Sequence, residues 1–350
     1  MRDGAELAAD VYLASGDAPA PAIVEITPYD KGRSSMITDE AAMYQEHSYT
    51  FVVVDTRGRG KSEGEWTAFV NDPADGHDVI EWVAAQPWST GRVGMTGLSY
   101  MGWTQWAAAS ERPPHLTCMV STSAAGRWQE EIPYTHGAFQ LFFAWWVYGT
   151  RRRIAEGHSA QDIDWDTVLA TLPYGKLGDF INPTGRSWEI FTDQDRLDEF
   201  WMSLRFDDRY SSIDVPCLHV SGWYDLEDLL GAFHHYEHML AASPAAANQY
   251  LLVGPWSHVA SRYPSRRHGG VDFGAAAAHD MDAEHLRWFD HWLKDGGPGL
   301  DDVAKVRLFD PGRRTWRATQ GWPLANSTLS LYVGNNDGSG VLLDTPPATE

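Results

Sequence analysis

The spacing of apolar positions changes along this chain in a regular order. Ala8 to Tyr12 alternates apolar and polar like a strand, and Pro21 to Ile26 and Val52 to Asp55 are short apolar runs of buried-strand length. Asp75 to Gln86 then carries apolar residues at helical spacing. Arg92 to Thr96 reads as a further strand, Gly97-Leu98-Ser99-Tyr100-Met101-Gly102 as a turn, and Trp103 to Ala109 as an apolar, alanine-rich helix packed on a sheet. This alternation, sustained to about residue 124, predicts a mainly parallel sheet covered on both faces. From 125 to 210 the pattern changes to aromatic-rich helical stretches, such as Phe139 to Tyr148 and Trp188 to Leu204, without a strand signal. That segment is expected to be a helical cap inserted over the site.

Alternation resumes at 211. Val215 to Val220 and Gln249 to Val253 are strand runs, Leu229 to Leu240 reads as a helix, and Ala283 to Lys294 as the closing helix. After Pro298 only Val306 to Phe309 and Thr328 to Tyr332 read as strands, too few to bury a sandwich core. The expected organisation is an α/β core over 1–124 and 211–298, the cap over 125–210, and the start of a β-domain, cut short, over 299–350.

Three of the predicted strands lead into side chains with catalytic chemistry. Ser99 sits in the turn after the 92–96 strand, Asp225 ends Ser221-Gly222-Trp223-Tyr224-Asp225, and His258 ends Gly254-Pro255-Trp256-Ser257-His258. Loops beyond the carboxyl ends of parallel strands share one rim, so the three can converge. Their order, Ser then Asp then His, is that of an α/β-hydrolase triad. A sharp strand-to-helix turn exposes the serine hydroxyl and aims the next backbone N–H, that of Tyr100, at a developing oxyanion. The serine motif alone is weak: the chain has 32 Gly in 350 residues, and Met101 stands where Gly-x-Ser-x-Gly has its second glycine. The ordered set of three carries the argument.

Composition removes other classes. A net charge of -21 argues against nucleic-acid binding, and 43% hydrophobic residues suffice for a large core. No apolar run approaches the roughly 18 residues needed to span a membrane. Cys118 and Cys217 fall in strand-like runs and read as buried thiols rather than a disulfide. Met1 to Gly4 runs straight into a strand, leaving no room for a signal peptide, so the expectation is a cytoplasmic protein or one whose true start is missing.

The segments Asp55-Thr56-Arg57-Gly58-Arg59-Gly60-Lys61-Ser62, Gln86-Pro87-Trp88-Ser89, Gly97 to Gly102, Gly222 to Asp225 and Gly254 to His258 together resemble the cocaine esterase and X-prolyl dipeptidyl peptidase family of serine hydrolases. The resemblance covers nearly the whole chain. It implies an α/β-hydrolase domain, a helical cap and a C-terminal jelly roll begun by 299–350, with no cofactor. It also implies a tyrosine hydroxyl as second oxyanion donor, at Tyr29 of Thr27-Pro28-Tyr29.

Asp225-Leu226-Glu227-Asp228 sets two further carboxylates beside the triad Asp, a crowding that costs energy unless a cation or hydrogen bonds compensate. The segment resembles the α-amino acid ester hydrolases and glutaryl cephalosporin acylases, where a carboxylate cluster holds the substrate's α-ammonium. The same resemblance implies a third carboxylate before Gly137-Ala138-Phe139, supplied by Glu131 or its neighbour Glu130. Glu227 and Asp228 also read as ordinary acidic residues at the start of the 229–240 helix. His234, His235 and His238 have metal-like spacing with Glu237 between them, but no strong fourth ligand is evident and the resemblance implies no metal.

The expected activity is hydrolysis of a small ester, amide or short peptide through an acyl-enzyme, with α-amino acyl donors preferred. A general carboxylesterase and an X-prolyl dipeptidyl peptidase are the alternatives, and oligomeric state is left open.

Overall fold

The computed structural model describes residues 1–32, 35–151, 153, 164–181, 187–322, 329–336 and 339–346. Its centre is a nine-stranded sheet built from β1 (Ala9–Tyr12), β2 (Ala20–Thr27), β3 (Thr50–Asp55), β4 (Ser89–Leu98), β5 (Leu116–Thr122), β6 (Cys217–Tyr224), β7 (Gln249–Ser257), β8 (Val306–Asp310) and β9 (Thr315–Thr319). The spatial order is β1-β3-β2-β4-β5-β6-β7-β8-β9. β1 lies antiparallel to β3 and β9 antiparallel to β8, and every other neighbouring pair is parallel. A parallel sheet buried on both faces needs strands without a polar side, and all six residues of β3 are buried.

The helices α1 (Ser35–Glu46), α2 (Asp72–Ala84), α3 (Tyr100–Ser110), α4 (Phe142–Thr150), α5 (Leu229–Ala242) and α6 (Met281–Leu293) are the longest. α3 is buried along nearly its whole length. It approaches α2 so closely that a Cβ on Gly76 would lie 2.7 Å from that of Ala108. The α1 helix has no counterpart in the sequence reading. Ile37, Ala41 and Tyr44 are its buried apolar residues at helical spacing, a stripe too short to stand out from the polar residues around it.

The cap segment contains α4 and short helices at Trp165–Ala170, Gly178–Ile181, Ser187–Asp193 and Glu199–Leu204. Trp188 to Leu204 is thus two helices, the second capped by Asp198, whose carboxylate accepts from the N–H groups of Phe200 and Trp201. Tyr134–Thr135 pairs with Ala138–Phe139, a small hairpin the aromatic pattern concealed.

Beyond 298 the structure departs from the expectation of a separate β-domain. β8 pairs in parallel with β7, matching Val306 with Leu251 and Leu308 with Val253, so the hairpin β8–β9 extends the main sheet. Its buried Val306 and Leu308 pack with Leu251 and Val253, which supply the apolar surface two isolated strands lack. Tyr332–Asn336 and Ser339–Leu343 form a separate hairpin, and the start of the strand expected over Thr328 to Tyr332 lies outside the described residues. Cys118 and Cys217 are buried free thiols. Among the described residues no helix is long and apolar enough to cross a membrane.

Candidate active site

β4 ends at Leu98 and α3 begins at Tyr100, so Ser99 is the whole connection. Its backbone sits at φ 67° and ψ -122°, a conformation a non-glycine residue adopts only where the surroundings enforce it. The flanking glycines make the turn fit. A Cβ on Gly97 would lie 2.4 Å from that of Met101, and one on Gly102 would lie 2.6 Å from the Thr122 carbonyl. The first keeps the turn tight, and the second lets α3 press onto β5.

Asp225 follows β6 and is buried. Its Oδ1 accepts from the N–H groups of Glu227 at 3.0 Å and Asp228 at 3.1 Å and from His258 Nδ1 at 3.1 Å, while Oδ2 accepts from the Ser221 hydroxyl at 3.4 Å. Burial pushes this carboxyl up, but the His258 bond and charge and the Ser123 hydroxyl outweigh it and hold it below the usual carboxylate range. Because the carboxylate accepts, His258 Nδ1 carries a proton and, in the neutral ring, Nε2 is left with a lone pair. Burial alone would lower the imidazole, yet Asp225, Glu227 and Glu131 raise it above its ordinary value.

The Tyr29 ring packs edge-on to Tyr100, with centroids 6.5 Å apart, and its hydroxyl lies within hydrogen-bonding reach of Ser99. Trp146 Nε1, from α4, donates to the phenol oxygen at 3.0 Å. That oxygen is thereby an acceptor toward the cap, and its own hydrogen is left to point toward Ser99. Burial pushes Tyr29 up to about 12, so it stays a neutral donor at ordinary pH. Its loop is held by buried Arg59, which donates through Nε to the Pro28 carbonyl and through Nη1 to the Thr150 carbonyl, both at 2.7 Å. The Asp55-to-Ser62 motif therefore serves placement. Asp55 accepts from the backbone of Lys31 and Lys61, and a Cβ on Gly60 would strike its carboxylate at 2.2 Å.

Glu227 and Asp228 share one narrow cleft with Ser99, Tyr29 and Trp146. Glu227 Oε2 lies 3.8 Å from His258 Nε2, and Asp228 Oδ2 lies 3.8 Å from His258 Nδ1. Asp228 is 3% exposed, and its Oδ1 has no hydrogen-bond partner among the described residues. Burial, then the charges of Asp225, Glu131 and Glu227, raise its carboxyl well above the usual range. Ser99 makes no hydrogen bond to His258 here, a contact that commonly tightens only with substrate bound.

Glu131 is placed differently from the other two acids. It is buried and electrostatically coupled to Asp228, but it does not line the cleft. Oε1 accepts from the Gly231 N–H at 2.6 Å and Oε2 from those of Gly126 and Arg127 at 3.4 Å, so it anchors the first turn of α5 to the start of the cap segment. Burial, partly offset by those three bonds, raises it to about 7. Glu130 instead pairs with Arg205 at 3.0 Å. Sequence reasoning missed Trp146 and Arg59 as neighbours of the Tyr29 loop. Each acts across more than 30 residues of chain, and no local pattern signals such a contact.

A family model described as X-Pro dipeptidyl-peptidase (S15 family) matches residues 3–260. The chain belongs to that family. Among S15 relatives, the cocaine esterase of Rhodococcus sp. (strain MB1 Bresler) is 29% identical over 361 residues, covering 96% of this chain and 61% of the relative. The Xaa-Pro dipeptidyl-peptidase of Lactobacillus delbrueckii subsp. lactis is 23% identical and covers 93% of this chain and 40% of its own. A solved α-amino acid ester hydrolase superposes with a TM-score of 0.82 at 26% identity, over 95% of this chain and 60% of that one. The S15 chain thus has an α/β-hydrolase fold, and it spans about three-fifths of the length of the esterase and the ester hydrolase.

Proposed function

We propose that the protein is a serine hydrolase that cleaves ester or amide bonds through an acyl-enzyme and prefers α-amino acyl donors. Ser99 attacks the carbonyl while His258 Nε2 takes its proton, and Asp225 fixes the tautomer and stabilises the imidazolium. The Tyr29 hydroxyl and the Tyr100 N–H receive the oxyanion. His258 then protonates the leaving group, and water repeats the sequence to release the acid.

The observation that carries the amino preference is Asp228, a buried carboxylate with an unpartnered oxygen in the cleft that holds Ser99. An α-ammonium beside it and Glu227 would relieve the repulsion among Asp225, Glu227 and Asp228. Glu131, one step behind them, supports the cluster by fixing α5. One observation favours a plain carboxylesterase: burial and the neighbouring acids raise the Asp228 carboxyl well above the usual range, and the less charge it carries the less it needs an ammonium.

Phenylglycine methyl ester and the matched phenylacetic ester separate the two. A higher kcat/KM for the amino compound, lost in Glu227→Ala with Asp228→Ala, supports the proposal. Equal values leave a general esterase. Release of a dipeptide from an Xaa-Pro chromogenic substrate would mark the peptidase alternative, and Ser99→Ala retaining full activity would overturn the triad itself.

A further inference from the structure

The three histidines of α5 divide into two groups. His235 belongs to the core: its ring stacks on Trp106 with centroids 4.2 Å apart, Nε2 donates to the Ala125 carbonyl at 2.9 Å, and Nδ1 accepts from the Tyr210 hydroxyl at 2.8 Å. Both its nitrogens are used. His234 and His238, one turn apart, pack on the Tyr210 ring with centroids 6.0 and 5.1 Å away and meet Asp207, in the stretch that leads out of the cap segment toward β6. One donor atom from each of the three lies within 4.8 Å of the others. The carboxylate is the ligand that the i, i+4 spacing of the histidines could not reveal.

The hydrogen bonds around this trio set its chemistry. His238 Nδ1 lies 2.8 Å from the His234 carbonyl, which can only accept, so Nδ1 holds the proton and Nε2 carries a lone pair. That is the tautomer a metal requires, oriented by a backbone carbonyl as ligating imidazoles commonly are. Asp207 Oδ2 is held by Arg205 Nε at 2.9 Å, and Oδ1 lies 2.6 Å from His234 Nε2. His234 and His238 line a cavity of about 590 Å³, which leaves room for water as a further ligand.

We propose that His234, His238 and Asp207 bind a late first-row divalent cation, zinc being the best match, and that the ion fastens the end of the cap segment to α5. Two imidazole nitrogens, one carboxylate oxygen and a water make a tetrahedral set suited to zinc and poorly suited to calcium or magnesium. Binding moves the His234 proton from Nε2 to Nδ1, so no net proton is released. His234 Nε2 and Asp207 Oδ1, 2.6 Å apart, are closer than two tetrahedral ligands at about 2.0–2.2 Å from an ion would be, so they must part as the ion enters. Arg205 and Arg127 stand nearby and oppose the ion's charge, which sets the expected affinity in the micromolar range. A ligand that binds only the folded state raises the melting temperature by mass action.

The test is a zinc titration of the full chain by calorimetry and thermal melting, with cobalt as the visible-absorption probe. The site predicts one micromolar equivalent of zinc, a melting temperature raised by several degrees, and a tetrahedral cobalt band, with no effect of calcium or magnesium. His238→Ala and Asp207→Asn each lose that equivalent, the shift and the band, while His238→Ala leaves ester hydrolysis unchanged. His238→Gln keeps side-chain bulk and serves if the alanine variant fails to fold. Equal zinc stoichiometry and shift in wild type and His238 variants, or no saturable binding at all, overturns the site.

Discussion

Replacing Trp146 with Phe removes the indole N–H that donates to the Tyr29 hydroxyl at 3.0 Å and leaves a ring in its place. A neutral hydrogen bond of this kind contributes about 0.5–1.5 kcal/mol. If all of it acts on the oxyanion donor, kcat falls by roughly 2- to 12-fold, at about 1.4 kcal/mol per decade. Tyr29→Phe removes the donor itself and should cost about 2.7–4 kcal/mol, on the order of 100- to 1,000-fold in kcat. Since Trp146 acts through Tyr29, the two losses should not add. In the Tyr29→Phe background, Trp146→Phe should change kcat by less than about twofold. The assay is steady-state hydrolysis of a nitrophenyl ester by wild type, both single variants and the double variant, with kcat and KM resolved. KM is expected to move in both backgrounds, because the indole also lines the cleft. An equal fall in kcat with and without the Tyr29 hydroxyl would refute the reasoning and reduce Trp146 to packing.

His258 must be neutral to act as a base, and its neighbouring acids raise it, so the acid limb of kcat/KM should lie above pH 6.5, the ordinary histidine value. Glu227→Gln removes one of those charges, destabilises the imidazolium and should move the limb to lower pH; an unmoved or upward-shifted profile contradicts the electrostatics. Glu131→Gln should lower the melting temperature while changing KM for the amino ester by less than about twofold, because a charge-assisted anchor is weakened and the cleft is untouched. The reverse pattern would return Glu131 to the substrate. Gly102→Ala would put a methyl 2.6 Å from the Thr122 carbonyl, and overpacking of this kind costs about 1–3 kcal/mol, to be read as a drop in melting temperature. A wild-type melt for that variant would mean α3 can retreat from β5 freely.

The sequence by itself determined most of the sheet strands, the alternation of strands and helices and the place of Ser99, Asp225 and His258 beyond strand ends. These follow from short-range causes: a buried parallel strand must be apolar throughout, and the glycines at 97 and 102 answer to a tight turn and a close approach. Chain order then distinguishes the proposed triad from other arrangements. Helix α1 escaped because its buried stripe is short, strand β9 (Thr315–Thr319) escaped because most of it is exposed, and β8 was assigned elsewhere because strand-forming residues do not name their partner. Only the tertiary structure decided that this pair finishes the main sheet against β7, that Glu131 is spent on three backbone N–H groups, and that Asp207 meets His234 and His238. The acids show the reason most clearly. Asp225, Glu227 and Asp228 are neighbours in sequence with similar side chains, yet one is held low by donors and another is raised by burial, one of its oxygens having no hydrogen-bond partner among the described residues. Desolvation and hydrogen-bond partners belong to the folded surroundings of a residue, whereas periodicity and turn chemistry belong to the chain.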